Sequence, residues 1–135
     1  GVSDLSRSGY ESASKHFDPA DLEVDVAGRS FLITGSNSGI GKAAAKEIAR
    51  RGGTVHLVCR NKERAEDAKG EIVTETGNQV SLLLCFVMSY LLFLTVLLRI
   101  LKVRVVLQIN NAGCMVNNRE LTEDGLEKNF ATNTL

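Results

Sequence analysis

The sequence is poor in the residues that build metal sites and disulfide frameworks. Its 135 residues include three cysteines and two histidines, and the cysteines, Cys59, Cys85 and Cys114, lie far apart in the chain. Neither the cysteine spacing nor the neighbours of His16 and His56 match a zinc site or a set of paired disulfides. We therefore predict no metal site, and reduced thiols of the kind found inside cells.

The chain also lacks a net charge and an N-terminal secretory signal. Lysine and arginine together number 16, as do aspartate and glutamate, so no charge excess points to a nucleic-acid partner. Residues 1–27 are polar, contain the single proline and have no apolar core, and we interpret them as a tail rather than a signal peptide. The sequence therefore predicts an intracellular protein, cytoplasmic or membrane-associated, that is not secreted.

Short apolar runs alternate with segments of helical spacing after this tail. The runs are rich in β-branched residues and predict strands buried in a sheet, and the segments between them place small apolar residues on one face. The predicted strands cover residues 30–34, 55–59 and 103–109, and the predicted helices cover residues 40–51 and 61–76. Thr122 is a candidate N-cap for a last helix. This order predicts an α/β fold with a parallel sheet.

A glycine-rich loop joins the first predicted strand to the first predicted helix. It reads Thr-Gly-Ser-Asn-Ser-Gly-Ile-Gly at residues 34–41. Gly35 permits a tight turn, Gly39 lets the backbone approach a pyrophosphate, and Gly41 lets the helix pack against the strand. A P-loop is excluded, because Ser36 occupies the place of its first glycine. The loop predicts a dinucleotide site, with the positive end of the helix facing the phosphates; the alternative is a tight turn that binds nothing.

The glycine spacing resembles that of the short-chain dehydrogenase/reductase family, whose loop reads Thr-Gly-x-x-x-Gly-x-Gly. A second motif of that family, Asn-Asn-Ala-Gly, stands at residues 110–113, after a predicted strand. The resemblance implies that residues 28–135 form a partial NAD(P)-binding domain, the N-terminal half of a Rossmann-like doubly wound parallel sheet. It also implies an oxidoreductase that transfers hydride between nicotinamide and a small-molecule carbonyl or alcohol substrate.

The predicted cofactor contacts lie in the glycine loop, after the second strand and in the second motif. They are Gly35, Ser36, Ser38, Gly39, Ile40, Gly41, Arg60, Asn111, Ala112 and Gly113. Arg60 follows the second strand, where an NAD-preferring site carries an acidic residue. An arginine there favours a 2′-phosphate through charge-assisted hydrogen bonds. We therefore predict NADP(H) as the cofactor; the alternative is that Arg60 is a solvated surface charge.

The family's general acid is a tyrosine followed four residues later by a lysine, and this pair is missing from the sequence. The nearest lysine after Tyr10 is Lys15, five residues on, and Tyr90 has no lysine near it. The resemblance further implies a catalytic asparagine in a Phe-x-x-Asn pattern, which Asn133 matches; an ordinary helix residue is the alternative. The chain is therefore expected to bind NADP(H) and to be inactive alone.

Residues 80–108 depart from the family pattern, because the span has no acidic residue and no polar helix face. No charged residue occurs in 80–98, and basic residues follow it. The length and the basic flank are those of a membrane-spanning helix. A second interpretation is an apolar strand and helix covered by a partner.

The third interpretation, which we favour, is translated intronic sequence in a truncated splice product. Val80-Ser81 can be encoded by GTAAGT, a splice donor, and Gln108 by CAG, the end of a splice acceptor. Translated pyrimidine-rich sequence would be rich in leucine, phenylalanine, serine and valine, as residues 80–108 are. On this interpretation the chain is a non-catalytic fragment, and residues 80–98 could attach it to a membrane.

Overall fold

The computed structural model describes residues 7–84 and 107–134 of the chain. These ranges contain one four-stranded sheet in which every paired strand is parallel. Its strands are β1 (Ser30–Thr34), β2 (Thr54–Cys59), β3 (Val80–Leu84) and β4 (Leu107–Ile109). The order β3-β2-β1-β4 is that of the first half of a doubly wound sheet. The predicted α/β class and half-sheet architecture are confirmed.

Two helices connect these strands and contact each other. They are α2 (Gly39–Arg50), between β1 and β2, and α3 (Lys62–Thr76), between β2 and β3. The Asn61 side chain caps α3 by accepting a hydrogen bond from the Arg64 N–H at 2.9 Å. Gly77 ends it at a φ of +67°, a conformation that glycine adopts with little strain. Both ends of α3 therefore lie within one residue of the prediction.

The core forms where the two helices pack on the sheet. Ile33, Leu57 and Ile72 are fully buried there, and each large apolar side chain contributes roughly 1.5–3 kcal/mol when buried. The helices contribute mainly alanines to the same cluster, including Ala45 and Ala65. These small side chains let the helix backbones pack close to the strands. The first turn of α2 therefore lies close to the carboxyl end of β1.

The N-terminal segment contains local structure that the sequence did not predict. Helix α1 (Arg7–Ala13) is followed by two 3₁₀ turns, Ser14–His16 and Pro19–Leu22, and none of these elements buries a residue. The Arg51 guanidinium donates a hydrogen bond to the Leu22 carbonyl oxygen and so attaches this segment near the end of α2. The division of the chain into a 1–27 tail and a 28–135 domain stays a prediction.

The last helix begins later than predicted. Helix α4 (Lys128–Asn133) is capped by the Glu127 carboxylate, so the prediction of Thr122 as its N-cap is wrong. Thr122 instead closes a turn, in which its carbonyl oxygen accepts from the Gly125 N–H at 2.9 Å. Gly125 has a φ of +78°, and an Asp-Gly pair in this conformation ends the turn before a helix can propagate.

The two ends of the apolar segment 80–108 are strands of the sheet. Of the predicted strand at 103–109, residues 107–109 form β4, and the rest lies outside the described residues. Of the predicted membrane segment 80–98, residues 80–84 form β3, and residues 85–98 also lie outside them. Within 7–84 and 107–134, no helix combines the length and apolar character that a bilayer crossing requires.

One buried imidazole lies inside the sheet. His56 on β2 is 5% exposed, and its Nε2 atom has no hydrogen-bond partner among the described residues. Burial lowers the pKa of His56 from its ordinary value of 6.5, because desolvation disfavours the charged form. As the pH falls, the His56 imidazole is therefore protonated in the unfolded chain before it is protonated in the folded protein. Its contribution to the free energy of unfolding is present above the pKa of the unfolded state and is lost as the pH falls below that value.

We expect the free energy of unfolding to fall as the pH is lowered from about 7.5 to about 5.5, because the unfolded chain protonates His56 more readily than the folded protein does. The substitution His56→Leu should remove this part of the decrease, because leucine binds no proton. Urea denaturation at both pH values measures it. The control is His16→Leu, which replaces an exposed imidazole and should keep the decrease. Equal pH dependence in His56→Leu and the wild type would contradict the assignment.

Candidate functional site

The glycine loop lies at the carboxyl end of β1, in contact with the segment that follows β4. Gly35 has a φ of +63°, and a Cβ atom there would lie 2.9 Å from the Ala112 Cα atom. A Cβ atom on Gly41 would lie 2.7 Å from the Gly35 carbonyl oxygen. Real Cβ atoms do not approach backbone so closely, so packing requires glycine at both positions.

Gly39, the middle glycine of the loop, faces open space. Its φ is +55°, and no atom of the described residues lies within 4 Å of the position that its Cβ would occupy. Ser38 and Ile40 beside it are exposed, and the Ser38 side chain makes no capping hydrogen bond. The first N–H groups of a helix lack intrahelical acceptors. This surface can therefore receive an anionic group close to the backbone.

Thr34 connects the glycine loop to the second motif. Its side chain is buried, and its hydroxyl oxygen accepts hydrogen bonds from the backbone N–H groups of Asn111 (3.0 Å) and Ala112 (2.9 Å). The Asn111 Nδ2 atom donates in return to the carbonyl oxygens of Thr34 (3.1 Å) and Gly35 (3.3 Å). Sequence reasoning missed Thr34 as a site residue; the available signal was a hydroxyl at the strand end, directly before the glycine.

Ser36 turns its side chain away from the open side of the loop. The hydroxyl is fully buried, donates to the Ile33 carbonyl oxygen at 2.9 Å, and lies 3.6 Å from the Cys59 sulfur. Of the residues predicted to contact a cofactor, Ser36 can therefore do so only through its backbone. Its side chain fixes the loop to the ends of β1 and β2.

Arg60 follows β2 directly and is exposed. Within the described parts of the chain, its guanidinium makes no hydrogen bond or ion pair. The ammonium group of Lys128 lies close enough to Arg60 for the two positive charges to interact. The hydrogen bond to Glu120 raises the pKa of Lys128, and the charge of Arg60 acts in the opposite direction. The sequence did not predict Lys128 as a site residue, because its proximity to Arg60 depends on the fold.

Asn133 lies near the second motif, but its amide is engaged by backbone. Its Oδ1 atom accepts from the Cys114 N–H and its Nδ2 atom donates to the Cys114 carbonyl oxygen, both at 2.8 Å. A Cβ atom on Gly113 would lie 3.2 Å from the same Oδ1 atom. The structure therefore places Asn133 beside the motif as a contact of the backbone, and its catalytic role stays a prediction.

The predicted cofactor residues meet at one edge of the sheet. Because the strands are parallel, their carboxyl ends lie together, and the glycine loop, Arg60 and the second motif follow β1, β2 and β4 respectively. No group of three His, Cys, Asp or Glu side chains that could hold a metal ion occurs in the part of the chain that the structure describes.

Comparisons with known proteins agree with this arrangement. A family model described as short chain dehydrogenase matches residues 29–135. Dehydrogenase/reductase SDR family member 12 of Bos taurus is 61% identical over 137 aligned residues, which cover 100% of this chain and 43% of that protein. Retinol dehydrogenase 13 of Homo sapiens is 39% identical, over 84% of this chain and 35% of that protein. The chain thus spans less than half the length of these relatives.

A solved structure shares the same architecture. The short-chain dehydrogenase from Sphingobium yanoikuyae, in complex with NADPH, is 32% identical and superposes with a TM-score of 0.64. The superposition covers 78% of this chain and 43% of that one. With the family model matched over residues 29–135 and including both motifs, the chain belongs to the short-chain dehydrogenase family.

Proposed function

We propose that this chain is the NADP(H)-binding portion of a short-chain oxidoreductase that acts on a carbonyl or an alcohol. The observation that carries the proposal is the contrast within the glycine loop. Packing requires Gly35 and Gly41, whereas Gly39 faces open space in a left-handed conformation. The left-handed backbone favours glycine at this position, as it does at Gly77, but Gly39 is also exposed at the start of a helix, where a pyrophosphate can approach the bare backbone.

The remaining proposed contacts surround this point. Ser38 and Ile40 border Gly39 on the exposed side, and Asn111, Ala112 and Gly113 are held beside the loop by Thr34. When bound, the nicotinamide cofactor would donate or accept the hydride. The residues of this chain bind and orient it; the Ser36 contribution is through its backbone.

The preference for the phosphorylated cofactor rests on Arg60. An exposed guanidinium with no hydrogen-bond or ion-pair partner in residues 7–84 and 107–134 remains available for a 2′-phosphate, to which arginine can donate two parallel hydrogen bonds. Lys128 lies in the same region, but it is paired with Glu120 at 2.7 Å, so the preference is assigned to Arg60. The Sphingobium yanoikuyae relative holds NADPH, which supports the same choice.

The chain by itself is proposed to be inactive. The sequence contains two tyrosines, Tyr10 and Tyr90, and neither is followed four residues later by lysine. Tyr10 lies on α1, which precedes the first strand of the sheet. Asn133 would act only together with the missing pair, so its catalytic role is a proposal for the longer family members.

A second candidate function is that of a non-catalytic splice fragment attached to a membrane through residues 80–98. The observation that favours it is the absence of charge across that range, and the strand at 80–84 weighs against it. Cell fractionation separates the two. Recovery with soluble protein supports an intracellular nucleotide-binding portion, whereas resistance to carbonate extraction supports the membrane-attached fragment. Transcript sequence across residues 79 and 109 tests the splice origin.

We expect the purified chain to bind NADPH more tightly than NADH, and Arg60→Ala to remove this difference. Loss of a charge-assisted hydrogen-bond pair should weaken NADPH binding about tenfold or more, and leave NADH binding nearly unchanged. Calorimetric titration with both nucleotides measures it. Arg29→Ala is the matched control, because it removes an exposed arginine before β1, at the opposite edge of the sheet. Equal weakening of both nucleotides would argue against a 2′-phosphate contact.

We expect Gly39→Ala to abolish NADPH binding while costing about as much stability as Gly77→Ala. The methyl group would enter open space where the pyrophosphate approaches, and the left-handed backbone would cost about 1–3 kcal/mol. Gly77→Ala is the matched control, because Gly77 has a similar φ of +67° and equally open surroundings at the far end of α3. Thermal melting with and without NADPH compares them. Retained binding in Gly39→Ala, or its loss in Gly77→Ala, would refute the assignment.

A further inference from the structure

Helix α4 contacts the segment after the second motif through two asparagines one turn apart. Asn133 pairs with the backbone of Cys114, and Asn129 pairs in the same way with the backbone of Val116. The Asn129 Oδ1 atom accepts from the Val116 N–H at 2.8 Å, and its Nδ2 atom donates to the Val116 carbonyl oxygen at 3.0 Å. Each carboxamide thus takes the place of a peptide group on a neighbouring strand.

The spacing of the two asparagines fits an extended chain. Residues four apart on a helix are separated by about 6 Å along its axis, and residues two apart on an extended chain by roughly 6.6 Å. In an extended chain the N–H and C=O groups of one residue point to the same side. Two asparagines at this spacing can therefore bind alternate residues of one segment, here Cys114 and Val116, in antiparallel sense.

Residues 114–116 have no strand beside them in the described parts of the chain. Backbone that is not part of a sheet or helix samples many conformations unless other contacts hold it, and fixing each residue costs roughly 1–2 kcal/mol of conformational entropy. The segment follows Gly113 directly, so disorder in it would reach the motif that lies against the glycine loop. Thr34 fixes the motif at one end, and the two asparagines fix the chain just beyond it.

We propose that Asn129 is a positioning residue for the cofactor site. By holding Val116, it keeps the chain after Gly113 extended along α4, and it presents the motif residues Asn111 to Gly113 in one conformation. The Oδ1 atom of Asn129 also lies 3.6 Å from the Cys114 sulfur, so the same amide contacts both Cys114 and Val116. This inference rests on the proposed NADP(H) function, and it assigns Asn129 no contact with the cofactor itself.

The test compares Asn129→Ala, Asn129→Asp and Thr132→Ala in the full chain. Alanine favours helix more than asparagine does, so the first variant removes the backbone contact without weakening α4. Aspartate keeps an acceptor for the Val116 N–H and loses the donor. Thr132→Ala changes an exposed residue of the same helix. Amide hydrogen exchange by NMR reports the Val116 N–H, and calorimetric titration reports NADPH and NADH affinity.

We expect Asn129→Ala to accelerate exchange at Val116 about tenfold and to weaken both nucleotides about fivefold, since loss of one hydrogen bond has effects of this size. Asn129→Asp should keep the Val116 N–H protected and restore part of the affinity, and Thr132→Ala should change neither. Equal loss for NADPH and NADH distinguishes a positioning role from that of Arg60.

Unchanged exchange at Val116 in Asn129→Ala overturns the inference, and so does faster exchange with unchanged nucleotide affinity. Faster exchange throughout α4 also overturns it, because Asn129 would then stabilise the helix only. A wild-type chain that binds neither nucleotide contradicts the proposed function instead, and the exchange at Val116 then decides separately whether Asn129 holds the segment.

Discussion

The Thr34 hydroxyl accepts two backbone N–H groups, those of Asn111 and Ala112, which lie 77 and 78 residues further along the chain. This contact connects the end of β1 to the end of β4, and much of the site depends on it. It can form only because β1 and β4 are parallel neighbours, so that their carboxyl ends lie side by side. A buried hydroxyl without these partners would be costly, which favours this one arrangement of the two loops.

The contact between the loop after β1 and the loop after β4 explains why the three glycines of the glycine loop have different surroundings. Where the two loops meet, Gly35 lies against Ala112, and Gly41 lies against both the Gly35 carbonyl oxygen and the Asn111 side chain. At Gly39, by contrast, the Cβ position has no neighbour within 4 Å among the described residues. Packing therefore requires two glycines of the motif, Gly35 and Gly41. Of the three, Gly39 is the one that leaves an open surface for a ligand.

The other side chains of the site fall into two groups, charged groups and amides that hydrogen-bond to the backbone. Arg60 is exposed and unpaired among the residues that the structure describes, and Lys128 has a raised pKa because its ammonium group is hydrogen-bonded to Glu120. The asparagine side chains of α4 hold backbone, and the Asn129 N–H also donates to the Glu127 carboxylate. The proposed division is thus between side chains that recognise a cofactor and side chains that keep the recognising backbone in place, and Asn129, Asn133 and Thr34 belong to the second group.

The sequence by itself determined the α/β class, the buried strands β1 and β2, the limits of α2 and α3 to within one residue, and the glycine loop between strand and helix. These follow from periodicity, capping residues and glycine positions, which act over a few neighbouring residues. Only the tertiary structure decided that the Ser36 side chain points inward, that Thr122 closes a turn, that residues 80–84 complete the sheet, and that Asn129 pairs with Val116. The physical reason is that a polar side chain takes whichever partner the fold brings within reach. The partners of Asn129 and Thr34 lie 13 and 78 residues away, beyond the range of any local pattern. The partners of Ser36 and Thr122 lie three residues away, and there the fold decides which backbone conformation forms.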